Sequence, residues 1–302
     1  MLALSTSWNA LQYTRAKDII KEIKSLGFER VELNFNLTSK LVEEMLKLQN
    51  EGVIKVVSLH NFCPIPEKVS RQKALPDFFS LSSLDEEERK LALRYTKRTI
   101  ETAARFSAQA VVLHCGKVQV EEKIRQLAGL FQKKDQAAGQ KLKQRMFEER
   151  EARAKQFFQQ TLKSLDELCA YALKQGVNLG LENRYYFSEI PTSDEMETIL
   201  AAFPGPPLYY WHDVGHAQVH ENLGLFEHKM MLDKFGPRLF GMHLHDVEGI
   251  DDHRAPLSGK FDFSRLLPYV QKNTLKVMEP HRPASAPEII RGKQYLEKLF
   301  GD

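Results

Sequence analysis

Cysteine is scarce: Cys63, Cys115 and Cys169 are the only three in 302 residues, and none forms a CxxC pair. An odd, scattered set excludes a disulfide framework and a cysteine zinc site. Long apolar runs are missing as well. No stretch approaches the roughly 18 consecutive apolar residues of a membrane span, and the opening MLALSTSWNA lacks the basic start and apolar run of a secretory signal. A cytoplasmic protein with no membrane partner is expected. Charge of one sign is equally short. Lys and Arg number 43 against 40 Asp and Glu, a net charge of +3, and even the densest basic run, Gln132 to Lys155, is interleaved with acids. So small an excess offers little counterion release from a phosphate backbone, so nucleic acid is not an expected partner. No GxGxxG follows the first apolar run, which removes the dinucleotide fingerprint of an open doubly wound sheet.

What is present is apolar material, 42% of the residues, enough for one large core and one domain over residues 1–302. Eight short β-branched or aliphatic runs recur, each followed by a stretch of helical periodicity. They are LALSTS from Leu2, RVELNF from Arg30, IKVVSLH from Ile54, AVVLHCG from Ala110, VNLGLEN from Val177, LYYWHDV from Leu208, LFGMHLHD from Leu239 and TLKVMEP from Thr274. Helices are expected over 15–26, 39–50, 85–106, 143–174, 193–202, 225–235, 262–270 and 286–299. Eight alternating units predict an α/β fold, a (β/α)8 barrel. Two connections are long: Phe62 to Leu84, rich in Pro and Ser, reads as a loop over the mouth, and Val118 to about Leu142 as a solvated helical extension.

In a closed barrel the C-terminal strand ends meet at one mouth, so their chemistry can be read as one series. Here the series is His60, His114, Glu182, Asp213, His243 and His245 followed by Asp246, then Glu279, with His216, Asp251 and His253 just beyond. Each alone has a plain structural reading, as a cap, a surface pair or a bonded core residue. His212, His220, His228 and His281 keep that reading. Together, converging buried carboxylates are expensive unless a cation neutralises them, which predicts a divalent metal site. Glu182, Asp213, His243 and Glu279 make an oxygen-rich set suited to Mn²⁺, Zn²⁺ or Mg²⁺ with positions left open for catalysis. His60, His114, His216, His245, Asp251 and His253 are then a second metal cluster or substrate contacts, and the spacing leaves both open. Trp8, Phe62, Tyr185, Tyr186, Phe187 and Trp211 offer rings for a sugar face or packing under loops. Glu32, Asn183, Arg184, Arg254 and Lys117 offer groups for hydroxyls or a phosphate.

The motifs VVSLHNFCP, VVLHCGK, LGLENR, HDVGHA, MHLHD followed by DDH, and VMEP resemble, in order and placement, the xylose isomerase-like barrel superfamily. That superfamily includes sugar phosphate isomerases and epimerases and endonuclease IV, and the likeness spans nearly the whole chain. It implies that Glu182, Asp213, His243 and Glu279 bind the shared metal, with His243 favoured over His245 because it stands three residues before an acid. It also implies that Glu182 and Glu279 move a proton beside a metal-polarised carbonyl of a sugar or sugar phosphate, and that two copies pair. The endonuclease branch implies a different outcome: three zinc ions on His60, His114, Glu182, Asp213, His216, His243, Asp251, His253 and Glu279, cutting abasic DNA. Sugar chemistry is favoured, because SWNALQY, LENRYYFSEIPT and HLHDVEG depart from the endonuclease pattern and no DNA-inserting loop is recognisable. A barrel that binds carbohydrate without turnover is the third class.

Overall fold

The computed structural model describes residues 2–301. Eight parallel strands close into a barrel: β1 (Leu2–Ser5), β2 (Arg30–Leu33), β3 (Lys55–His60), β4 (Ala110–Leu113), β5 (Asn178–Glu182), β6 (Leu208–Asp213), β7 (Leu239–Leu244) and, past a hairpin of β8 (Asp246–Glu248) and β9 (Asp251–Arg254), β10 (Leu275–Met278). Each strand pairs with its sequence neighbour and β10 closes on β1, so the predicted barrel stands. Every expected strand is present.

The barrel interior is filled rather than hollow. Ala3, Val57, Ala110, Val112, Trp211, Leu275 and Val277 form its apolar plug. Trp211 fits because its neighbours are glycines: a Cβ on Gly180 or Gly241 would lie 2.8 or 2.3 Å from the indole. The helices cover the outside with their apolar faces, starting with α1 (Ala16–Ser25), α2 (Ser39–Asn50) and α3 (Glu86–Arg105), whose Asp85 cap accepts from the Glu87 and Glu88 N–H groups. The extension after β4 is helical, as expected, built from α4 (Ile124–Gln132) and the first turns of a 40-residue α5 (Gln136–Gln175), which Gly176 ends with φ +67°. Next come α6 (Ser193–Ala202), α7 (Val214–Asn222), α8 (His228–Phe235) and α9 (Ala286–Phe300).

Three features differ from expectation. The helix expected over 262–270 is a single 3-10 turn, Phe263–Leu266, cut short before Pro268. The helix α7 starts directly after Asp213, whose carboxylate caps it by accepting from the His216 N–H at 2.7 Å. The third is the β8–β9 hairpin at the mouth. Asp246 anchors the segment behind it: Oδ1 accepts from the Val247 and Phe261 N–H groups at 2.8 and 2.9 Å, Oδ2 from Leu257 and Gly259 at 3.0 and 2.9 Å. A Cβ on Gly259 would meet that carboxylate at 2.4 Å. Asp246 therefore serves the backbone and not the chemistry that its place in HLHD suggested.

Candidate metal centre

Parallel register brings the strand-end residues level: Asp213 lies beside His243, and His243 beside Val277, two residues before Glu279. Glu182, Asp213, His243 and Glu279 are all buried, and one donor atom from each lies within 4.8 Å of the others. His243 Nδ1 stands 2.6 Å from Glu182 Oε1, 3.0 Å from Glu279 Oε2 and 3.7 Å from Asp213 Oδ2. Its Nε2 faces Glu32 Oε1 at 3.1 Å, and Glu32 also accepts from Ser58 Oγ at 2.8 Å. An Nε2–H donated to Glu32 leaves the Nδ1 lone pair pointing into the three carboxylates, the usual arrangement of an imidazole ligand and its carboxylate support. Glu32 thus lies behind His243 in the barrel, and is not free for a substrate hydroxyl.

His245 is placed differently. Its Nδ1 accepts from the His253 backbone N–H at 2.9 Å, so its proton is on Nε2, which reaches both oxygens of Asp213 at 2.9 and 3.0 Å. With both nitrogens committed, His245 orients Asp213. Of the two, His243 is the one whose ring nitrogen faces Glu182, Asp213 and Glu279 together.

Electrostatics inside the cluster are those of a cation site. Burial would raise Glu182, but His243, His114 and His60 hold it well below the usual carboxylate range. Burial would likewise raise Asp213, and His216 and His245 hold it well below. Burial would lower His243, yet Glu279, Glu32 and Glu182 push it well above the ordinary imidazole value. Glu279 is raised by its burial and by the Glu32 charge, against the pull of His243. Four buried carboxylates around one imidazole leave a negative excess that a divalent ion would neutralise, and the donors, three carboxylates and one nitrogen, suit Mn²⁺, Zn²⁺ or Mg²⁺.

Three further groups lie around it, one of them Asp77, His114 and Glu189. His60, His114 and Glu182 converge on one side, joined by Arg184, whose Nη1 lies 2.6 Å from Glu182 Oε2 and touches His114 Nε2. Asp77, from the long loop after β3, meets His114 Nδ1 at 3.2 Å, so that loop does help to build the site. On the other side His216, His245 and His253 converge. Asp251 does not join them. It is exposed and pairs with Arg254 at 2.7 Å, whereas Asp252 turns inward, 3.6 Å from His216 and 3.1 Å from His253, whose left-handed backbone (φ +53°) breaks the alternation of β9. Burial would lower the His253 imidazole, but Asp252 lifts it to about 9. His281, read as structural, packs its ring 3.9 Å from that of His253. Asp77, Asp252, Glu189 and His281 were missed. Only Asp252 and His281 carried a sequence signal, by adjacency to Asp251 and Glu279.

Several candidate substrate contacts are structural. Trp8 is buried, donates from Nε1 to the Ala284 carbonyl at 2.8 Å and lies under Arg282. Trp211 plugs the barrel beneath His243, and Phe62 and Phe187 pack in the core. Asn183 binds the Asp213 backbone through both ends of its amide, and Arg184 is paired inside the protein. Lys117 sits in a β-bridge to Glu189. Tyr185 and Tyr186 remain near the mouth, with the Tyr185 ring 5.8 Å from that of His216. A cavity of about 330 Å³ opens beside His253 and His281, with Arg254 and Arg282 on its wall.

A closed eight-stranded parallel barrel with a carboxylate and histidine cluster at the C-terminal ends of its strands places the chain among the (β/α)8 barrels, whose sites lie at that face. The chain belongs to the xylose isomerase-like TIM barrel family, whose model matches residues 20–299. No curated protein matches. Among solved structures, a D-tagatose 3-epimerase-like protein superposes with a TM-score of 0.69 at 18% identity, over 99% of this chain and 97% of its own. A 3-keto-D-glucoside 4-epimerase from E. coli, in its apo form, gives 0.68 at 15% identity, with 98% of each chain covered. The IOLI protein, crystallised with a bound zinc atom, gives 0.67 at 15% identity, over 99% of this chain and 98% of that one. These likenesses establish the fold.

Proposed function

We propose that the protein is a divalent-metal-dependent isomerase or epimerase of a sugar or a related polyol ketone. The observation that carries this reading is the buried ring of Glu182, Asp213, His243 and Glu279 around one point. Epimerases among the structures of the same fold support the choice of sugar chemistry.

Asp213, held by His245, and His243, held by Glu32, are the fixed ligands, while Glu182 and Glu279 reach in from β5 and from the end of β10. When bound, the ion polarises the carbonyl of the substrate and lowers the barrier to losing the neighbouring proton. Glu182 and Glu279 are the groups placed to take that proton and return it. Their surroundings differ in the way acid and base partners require: His243, His114 and His60 hold Glu182 well below the usual carboxylate range, whereas burial and the Glu32 charge raise Glu279 against the pull of His243.

Glu182→Gln and Glu279→Gln test this reading. Each keeps the side-chain volume, and each should lower solvent-proton exchange into a responsive ketose or aldose by about 10²–10⁴-fold with circular dichroism unchanged. Near-native exchange in either variant removes the two-carboxylate mechanism. Elemental analysis separates the endonuclease reading: close to three zinc per chain, with cleavage of abasic DNA, would replace this proposal.

A further inference from the structure

We infer that Arg184 occupies the pocket between His60, His114 and Glu182 as a built-in cation, excluding a metal ion there, and that shortening this one side chain opens a second metal site.

The hydrogen bonds determine where the lone pairs point. His60 Nδ1 lies 3.1 Å from the Asn61 carbonyl, which can only accept, so the proton is on Nδ1 and Nε2 presents a lone pair. That Nε2 is 3.8 Å from Glu182 Oε2. His114 Nδ1 faces the Asp77 carboxylate at 3.2 Å and its Nε2 lies 2.6 Å from the same Glu182 oxygen; in the neutral ring that gives its proton to Asp77, Nε2 presents a lone pair. In that tautomer two acceptors face each other and need a positive group between them. Arg184 Nη1 supplies it, touching His114 Nε2 and standing 2.6 Å from Glu182 Oε2. Two imidazole nitrogens, each backed by an acceptor on its far side, and one carboxylate oxygen are also the donor set of an open zinc site.

The guanidinium is fastened there. Its Nη2 pairs with Glu189 Oε1 at 2.8 Å, and Glu189 Oε2 accepts from the Tyr186 N–H at 2.8 Å. Arg150, buried against α6, donates to the Glu189 carbonyl at 3.0 Å and fixes the loop that carries it. Arg184 itself is buried, and a guanidinium keeps its charge at any accessible pH. A divalent ion entering the pocket would meet that charge, and expelling the arginine would strand a buried Glu189 carboxylate.

The inference shares Glu182 with the proposed metal centre but is read as a difference between variants, so it stands or fails separately. Wild type, Arg184→Ala, Arg184→Gln, Arg184→Lys and Arg184→Ala/His114→Ala are dialysed against Zn²⁺ or Co²⁺, and bound metal is counted by mass spectrometry. Arg184→Ala should bind about one more ion per chain than wild type, with new visible absorption when that ion is Co²⁺. Arg184→Lys keeps a cation and should show no gain, and removing His114 from the alanine variant should abolish it. Should Arg184→Ala fail to fold, Arg184→Gln, neutral and closer in size, should show the same gain. Equal metal counts in wild type and the neutral variants overturn the inference. So does a wild-type count that drops by one when His114 alone is replaced. A wild type that binds no metal overturns the proposed centre, and leaves the comparison across Arg184 variants intact.

Discussion

Asp246→Asn is a severe test of how the mouth is held together. The carboxylate accepts four backbone N–H groups, two on each oxygen, at 2.8–3.0 Å. An asparagine keeps one oxygen and two of those bonds. Its amide then directs hydrogens at the other two N–H donors, either Val247 and Phe261 or Leu257 and Gly259. Hydrogen bonds to a charged acceptor contribute about 1.5–3 kcal/mol each, and a buried donor left unpaired costs a similar amount. Two lost bonds therefore predict a destabilisation of about 3 kcal/mol, allowing for partial relaxation of the 255–261 segment toward water. Against a total stability of about 5–15 kcal/mol this is easily measured. In urea unfolding followed by circular dichroism, the midpoint should fall with the slope unchanged. Metal content in the absence of urea should remain that of wild type, because the hydrogen bonds of this carboxylate go to backbone. A loss below about 1 kcal/mol would refute the anchoring role, and a loss of metal at full folding would mean that Asp246 belongs to the chemistry after all.

Glu32→Gln removes the charge behind His243 while keeping an oxygen to accept from Nε2, and should weaken metal binding about 10–100-fold. Competition with a chromophoric chelator measures it, and an unchanged Kd would break the link between Glu32 and the centre. Acid should destabilise the fold through buried histidines outside the centre, His212, His220 and His228 among them. Burial pushes His220 down to about 4 and His228 to about 3. In the unfolded chain both take up a proton as the pH drops below about 6.5, whereas in the folded chain they stay neutral until the lower values are reached. Stability is thus intact above that point and lost as the pH falls through it, by about 2 kcal/mol for each histidine at pH 5. Urea midpoints at pH 7 and 5 measure the loss, and His228→Gln should reduce it. A pH slope that this variant leaves unchanged would exclude His228 as a source.

The strands were legible because each is a short apolar run bounded by turn residues, and the metal candidates because they share one position on successive runs. What escaped were features set by tertiary packing. In α7, Val214, His216, Ala217, Val219 and His220 are buried on several sides, so no polar face marks the segment as helical. Asp262 caps its turn as a helix start would, but Pro268 stops it within a few residues. Asp251 and Asp252 are indistinguishable until a hairpin assigns one to each face. His243 and His245 point the same way from one strand, and only the tautomers fixed by Glu32 and the His253 N–H separate them. Asp77 and Glu189 lie in loops, where nothing in the local sequence says what they will meet.

Glu182 is shared between neighbours: Oε1 faces His243 and the candidate centre, while Oε2 faces His114 and Arg184. The two sides are therefore thermodynamically linked. Whatever an ion on the Oε1 side does to the hold on Arg184, Arg184 does in equal measure to the affinity for that ion. Substitutions at Glu189 or Arg150, neither of which is among Glu182, Asp213, His243 and Glu279, should then shift the metal affinity through this single carboxylate, with opposite signs for changes that tighten and changes that loosen the arginine.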